Sequence, residues 1–178
     1  MPVYRIAVTC IAALAISAPL AFAEPAPGQR EAAEAGDVRA QYALGIIYDT
    51  GSGVEPDFNE GFKWFQMSAE GGYAPAQAKM GLMLLYGWQV RRDVAEAARW
   101  YELAARQGDA RSQAQISSMY ARGQGVPLDL VAAYKWLGVA AKAGDAQSMD
   151  RLPRLARQLS EAELAEAEAL VKAWRPGR

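Results

Sequence analysis

Residues 99–109 read RWYELAARQGD. Thirty-six residues earlier stands KWFQMSAEGGY (63–73), and thirty-six later KWLGVAAKAGD (135–145). The same spacing governs the whole middle of the chain. Gly36, Gly72, Gly108 and Gly144 keep it, as do Trp64, Trp100 and Trp136. So do Asp57, Asp93 and Asp129, then Gln41, Gln77 and Gln113, and Gly51, Gly87 and Gly123. A fixed period without insertions is the mark of a repeat array, in which one supersecondary unit is stacked on copies of itself.

Each unit reads as two helices. In the first, Ala40, Leu44, Ile47 and Tyr48 follow the i, i+4, i+7, i+8 spacing of an amphipathic helix. Asp37, Asp109 and Asp145 are suited to cap such a helix, and Tyr73 replaces that Asp where Pro75 follows in the first turn. Gly45 and Gly81 fall mid-helix, where glycine costs about 1 kcal/mol against alanine. Retaining so costly a residue predicts close helix approach, and Ser117 keeps that position small. The second helix opens at Asp57, Asp93 or Asp129 and ends at Gly72, Gly108 or Gly144, where glycine enters the left-handed turn without a Cβ clash.

The ends differ from the middle. REAAEAG (30–36) matches only the tail of a second helix. GDAQSMDRLPRLARQ (144–158) begins a fourth first-helix, with Pro153 expected to kink or break it. SEAELAEAEALVKAW (160–174) opens with Ser160 and Glu163, a capping box. Its Leu164, Leu170, Val171 and Trp174 suit a lid over the last repeat. Ahead of all this, Arg5 precedes the apolar run IAVTCIAALAIS, then Pro19 and Ala21-Phe22-Ala23. That is the layout of a secretory signal peptide cleaved after Ala23. Cys10 lacks the small residues that precede a lipoprotein cysteine. The expected organisation is signal peptide 1–23, linker 24–29, repeats 37–72, 73–108 and 109–144, a cap over 145–174 and a tail at 175–178, the solenoid running from 30 to 174.

These residues resemble the Sel1-like repeat, a relative of the tetratricopeptide repeat. The pattern, roughly A…LG..Y..G.GV..D...A..WY..AA..G, is carried by AQYALGIIYDTGSGVEPD with KWFQMSAEGG, AQAKMGLMLLYGWQVRRD with RWYELAARQG, and SQAQISSMYARGQGVPLD with KWLGVAAKAG. The resemblance implies an all-α fold: a right-handed α/α solenoid of antiparallel helix pairs, a superhelix like that of tetratricopeptide repeats. It also implies a concave surface that binds other proteins, in a family of adaptors of which many bacterial members are exported. Some exported members pair cysteines within each repeat. Cys10 is the one cysteine here, and it lies in the leader. Departures fall at Leu84, where Tyr48 and Tyr120 stand, and at Gln89, where Gly53 and Gly125 stand; Gln89 is expected to reshape its loop.

Chemistry is thin. The chain has no histidine and, past the leader, no cysteine, so neither Ser-His-Asp nor Cys-His catalysis can be assembled. No Ser-x-x-Lys motif occurs, and GSGV (51–54) lacks the Gly-Lys-Ser/Thr of a phosphate cradle. Glu55, Asp57 and Glu60 cluster, but Asp57 recurs as a helix cap. No catalytic, metal or cofactor site is expected. A formal charge of −1, or −2 once Arg5 leaves with the signal peptide, does not favour nucleic acid. Trp64, Trp100 and Trp136 are assigned to the core, because partner recognition does not need one residue at the same place in every unit.

Variation between the repeats is more informative about binding. The loops read DTGSGVEPD, LYGWQVRRD and ARGQGVPLD. The middle one carries Leu85, Tyr86, Trp88, Arg91 and Arg92 where its sisters have mostly polar residues or proline; Trp, Tyr and Arg are the types favoured at binding hot spots. Either this loop contacts a partner or Trp88 folds back over the adjacent loop. A second candidate is a groove of variable first-helix positions: Arg39, Tyr42, Ile46, Lys79, Leu82, Arg111, Gln115 and Ser118. The expected function is an exported, monomeric protein-binding scaffold of the bacterial envelope, periplasmic or secreted, without membrane insertion after leader removal. The alternatives are an envelope hydrolase acting on peptidoglycan or glycan, and a secreted factor binding a host protein.

Overall fold

A computed structural model describes residues 27–177 of the chain; the signal peptide expected at 1–23 and its cleavage site lie outside them. Among the described residues there are nine helices and no strand: α1 (Pro27–Glu34), α2 (Val38–Thr50), α3 (Phe58–Glu70), α4 (Ala74–Tyr86), α5 (Val94–Arg106), α6 (Ala110–Arg122), α7 (Leu130–Lys142), α8 (Ala146–Ala156) and α9 (Glu161–Ala173). Helices α1 to α8 pack each on the next, which makes an α/α solenoid of antiparallel pairs.

The caps follow the sequence closely. Asp37, Asp57, Asp93, Asp109, Asp129 and Asp145 each accept a hydrogen bond from a backbone N–H in the first turn of the helix that follows. Tyr73 makes no side-chain cap, and Pro75 occupies the first turn of α4 instead. At the repeat boundaries Gly36, Gly72, Gly108 and Gly144 all have φ between +89° and +102°. The N–H of the residue after each glycine returns to a carbonyl of the last turn, as in Tyr73 to Ser68 (3.1 Å) and Asp145 to Ala140 (3.1 Å). These are left-handed helix ends of the Schellman type.

Gly45 and Gly81 are needed for close packing, as expected. A Cβ at Gly45 would stand 2.5 Å from Cδ1 of Phe65, and one at Gly81 would stand 3.0 Å from the Tyr101 ring. In the third repeat Leu137 holds the ring's register position. There Ser117 finds room for a hydroxyl, which donates to the Ala133 carbonyl at 2.7 Å. A second device ties one repeat to the next. The buried side chains of Gln41, Gln77 and Gln113 donate through Nε2 to the carbonyls of Ala33, Ala69 and Ala105, at 3.0, 3.2 and 3.0 Å. Each such bond nets roughly 1 kcal/mol, and baring the carbonyl would cost more. Met149 takes the glutamine's place in α8 and is exposed, so the last junction lacks this latch.

The core is a row of clusters along the stack. Ala33, Leu44, Tyr48, Val54 and Trp64 join α1 to α3, and Phe65, Ala69, Ala76, Met80 and Met83 join α3 to α4. A larger cluster around Tyr101, Ile116, Met119 and Trp136 spans α5 to α7. Ala133, Tyr134, Leu137, Leu155 and Ala167 close the far end. Trp64 and Trp136 are buried, whereas Trp100 is only half-buried against the α3–α4 cluster.

Four expectations need correction at or near the ends. The linker read over 24–29 is helical from Pro27 onward. Pro153 does not break α8, which runs through to Ala156. Pro153 and Met149 both lie on the exposed face, where water can take up the carbonyl that proline leaves free. Leu170, assigned to the lid's inner face, is exposed; Leu164, Val171 and Trp174 are the residues that pack. The segment read as a tail is docked: Gly177 N–H donates to the Arg106 carbonyl at 2.9 Å. The lid itself, α9, lies on α7 rather than on its chain neighbour α8. The absence of a side chain at Gly138 permits this, because a Cβ there would meet Val171 Cγ2 at 2.7 Å.

Candidate protein-binding groove

The first helices of the three repeats line one groove. Tyr42 of α2, Lys79 and Leu82 of α4, and Arg111 and Gln115 of α6 surround a cavity of about 370 Å³. Five of the eight groove residues expected from sequence therefore meet. Ile46 is instead half-buried in the α3–α4 cluster, and Arg39 is exposed away from the cavity. Pro75, Ala78, Tyr101 and Ser112 also line it and were not anticipated. Tyr101 had a visible signal, since it holds the position of Phe65 and Leu137 opposite a small residue.

A second cavity, about 290 Å³, continues from the first through the shared Gln115. It gathers Leu85, Tyr86 and Arg92 of the middle loop with Ser118 of α6, the eighth groove residue. Arg122 and Gln124 complete it. The two sequence candidates, loop and groove, thus form one continuous surface.

The loop keeps the backbone of its sisters. Ser52, Trp88 and Gln124 donate equivalent N–H bonds to Ile47, Met83 and Met119, and Asp57, Asp93 and Asp129 donate to Tyr48, Leu84 and Tyr120. Gln89 does not reshape it. Gln89 adopts φ +61°, matching Gly53 at +81° and Gly125 at +72°, at a cost of about 1–2 kcal/mol for a residue with a Cβ. Trp88 therefore stands where a serine or glutamine stands in the other repeats. Its ring stacks on Tyr86 at 5.2 Å between centroids, and both stay about half exposed, at 51% and 57%.

The candidates divide by what else holds them. Leu85 is half-buried against the α5–α7 cluster, so it also serves the core. Lys79 is already paired: its Nζ lies 2.8 Å from Asp49 Oδ2 and 5.0 Å from the Phe65 ring centre, with only 20% of the side chain exposed. Arg92 spends its Nε on the Leu85 carbonyl at 2.9 Å. The guanidinium groups of Arg39, Arg91, Arg111 and Arg122 make no hydrogen bond or ion pair with any described residue. Burial, and secondarily Tyr73 and Asp49, pushes the Tyr42 phenol above its ordinary pKa; burial, and secondarily Tyr86 and Asp109, does the same for Tyr101. Both hydroxyls therefore remain neutral and able to donate throughout the physiological range.

Two of the three carboxylates considered for catalysis, Asp57 and Glu60, have structural partners. Asp57 accepts from Asn59 and Glu60 N–H, and Glu60 pairs with Lys63 at 3.1 Å. Among the described residues no group of three or more potential ligand side chains clusters for a metal, and no helix is long and apolar enough to cross a membrane.

Comparison with known proteins agrees with this geometry. Residues 38–73, 74–109 and 110–145 each match the Sel1 repeat, one residue later than the boundaries drawn at the glycine turns. The fold is similar to the crystal structure of a Sel1 repeat protein from Oxalobacter formigenes. The TM-score is 0.70 at 36% identity, over 71% of this chain and 96% of that one. It is also similar to a protective antigen of uropathogenic Escherichia coli strains that displays an SLR fold. There the TM-score is 0.51 at 27% identity, over 82% of this chain and 39% of that one. Among curated proteins none matches.

Proposed function

The chain belongs to the Sel1 repeat family, whose members generally mediate protein–protein interactions, and on that premise we propose that it is a protein-binding scaffold working outside the cytoplasm, in a bacterial periplasm. The observation that carries the reading is the half-exposed Tyr86–Trp88 stack beside the continuous groove of α2, α4 and α6. A pre-formed rigid surface limits the ordering entropy lost on docking, and exposed aromatics on a fixed loop backbone are the kind of anchor that dominates interface energies. The leader-like residues 1–23 support the site of action. The scaffold carries out no reaction of its own.

Substituting Trp88 with alanine should abolish cross-linking to the envelope partner while far-UV circular dichroism and melting stay as in the parent. A large drop in melting temperature with partner capture retained would overturn the assignment. Similarity to a protective antigen favours a second reading, in which the protein is released to meet a host protein. Cell fractionation separates the two: recovery in osmotic shock fluid means retention, and recovery in the medium means release.

A further inference from the structure

The sign of the groove's charge is opposite to that of the chain. On α3 and α5, cations are neutralised locally: Lys63 by Glu60, Arg99 by Glu96 and Arg106 by Glu102, each within a turn of the same helix. The groove has no such arrangement. Among the described residues, no carboxylate lines either cavity. Two acids lie near the first cavity: Asp49, which acts on Tyr42, is paired with Lys79, and Asp109, which acts on Tyr101, caps α6 by accepting from Ser112 N–H. Arg111 sits on the wall of the first cavity and Arg122 on the wall of the second, both exposed and without a partner, with Arg92 between loop and groove. In a chain of formal charge −1 this is a local excess of fixed positive charge. Arginine presents a planar fork that matches a carboxylate in a bidentate manner.

Apolar surface accompanies the charge. Leu82 lies in the first cavity and Leu85 in the second, with the Tyr86–Trp88 stack at the far end. We propose that the groove binds an extended acidic peptide segment, its Asp or Glu side chains on Arg111 and Arg122 and an apolar side chain lodged beside Leu82 or Leu85. This deepens the scaffold reading and rests on it. The occupant is a polypeptide and not a nucleic acid. The unpartnered cations that line the groove, Arg111 and Arg122, stand beside apolar Leu82 and Leu85 rather than in the continuous basic stripe that a phosphate backbone follows.

The test is selection of random twelve-residue peptides displayed on phage against the purified protein and against Arg111→Glu/Arg122→Glu. Both positions are exposed and unpaired, so the variant should melt with the parent, and Arg111→Gln/Arg122→Gln serves as the milder control. On the parent the recovered pool should be rich in Asp and Glu with one bulky apolar residue. Synthetic members should bind at least about tenfold more weakly to the charge-reversed variant, and more weakly as salt is raised. A neutral or basic pool, or an acidic pool that the charge-reversed protein binds equally well, overturns the proposal while leaving the scaffold reading intact. Failure to enrich any pool overturns it too, as does displacement of the peptides by single-stranded DNA at matched charge. The scaffold reading fails separately, if envelope cross-linking finds no partner that depends on Trp88.

Discussion

Gly45→Ala should destabilise this protein by about 1–2 kcal/mol, although alanine is the better helix former. The added methyl would lie 2.5 Å from Cδ1 and 2.6 Å from Cε1 of Phe65. Phe65 is fully buried, so its ring has no solvent to move into. Overpacking a filled core costs about 1–3 kcal/mol, and replacing a mid-helix glycine by alanine returns about 1 kcal/mol. With two ring atoms below contact distance the upper part of the first range applies, which leaves the stated net loss. Gly81→Ala is the internal control. Its Cβ would stand 3.0–3.1 Å from the Tyr101 ring, so a shift of a few tenths of an ångström suffices. Gain and cost should then cancel to within about 0.5 kcal/mol. The third repeat supplies the rescue, since Ser117 is accommodated where Leu137 replaces the ring. Phe65→Leu should therefore be coupled to Gly45→Ala by about 1 kcal/mol or more in the favourable sense. Urea denaturation followed by far-UV circular dichroism measures the parent, the three single variants and the Gly45→Ala/Phe65→Leu double variant. If Gly45→Ala proves as stable as the parent, or no worse than Gly81→Ala, the close-approach argument is wrong.

Two further outcomes are expected. Gln89→Gly removes a Cβ from a left-handed residue with φ +61° and should raise stability by about 0.5–1 kcal/mol, read as a higher urea midpoint; a lower midpoint would mean that the side chain contributes more than the strain. Ser148, by its nearby side chain first and then by the backbone N–H that donates at 2.8 Å, holds the Asp145 carboxyl below its ordinary pKa, and hydrogen bonds from Ser160 do the same for Glu163. A depressed folded-state pKa contributes stability that is complete above the unfolded value, about pH 4, and is lost as pH falls through the lower folded one. The amides that donate to these carboxylates are those of Ser148 and Ser160; their protection, corrected for intrinsic exchange, should therefore decline on acidification below about pH 4, and protection that stays flat would contradict the linkage.

Much of the fold was legible because its signals are local and repeated. Aspartate caps, glycine stops and the glycine–ring complement act within one helix pair, and each is repeated along the chain. The glutamine latches were half legible. Gln41, Gln77 and Gln113 recur visibly, but their acceptors lie eight residues back, and only the matching recurrence of Ala33, Ala69 and Ala105 could have pointed to them. The groove was legible as a set of variable positions, yet its charge state was not. Lys79 and Asp49 are thirty residues apart and meet only because α2 and α4 are neighbours in the stack. Arg122 escaped notice because it sits where Thr50 and Tyr86 stand, on a loop shoulder that reads as solvent until α4 is placed beside it. The return of α9 to α7 carries no periodic signal at all. It depends on a single missing side chain at Gly138 and on Trp174 finding the cluster around Trp136.

That return has a mechanical consequence. In a plain solenoid each module touches only its neighbours, so melting can begin at either extremity and proceed like a row of tiles lifting. Here the last residues of the chain clasp the end of α5 through Gly177 and Arg106, bridging across an entire intervening module. The distal extremity is stitched down and cannot peel one tile at a time. It must release the clasp and the third module together.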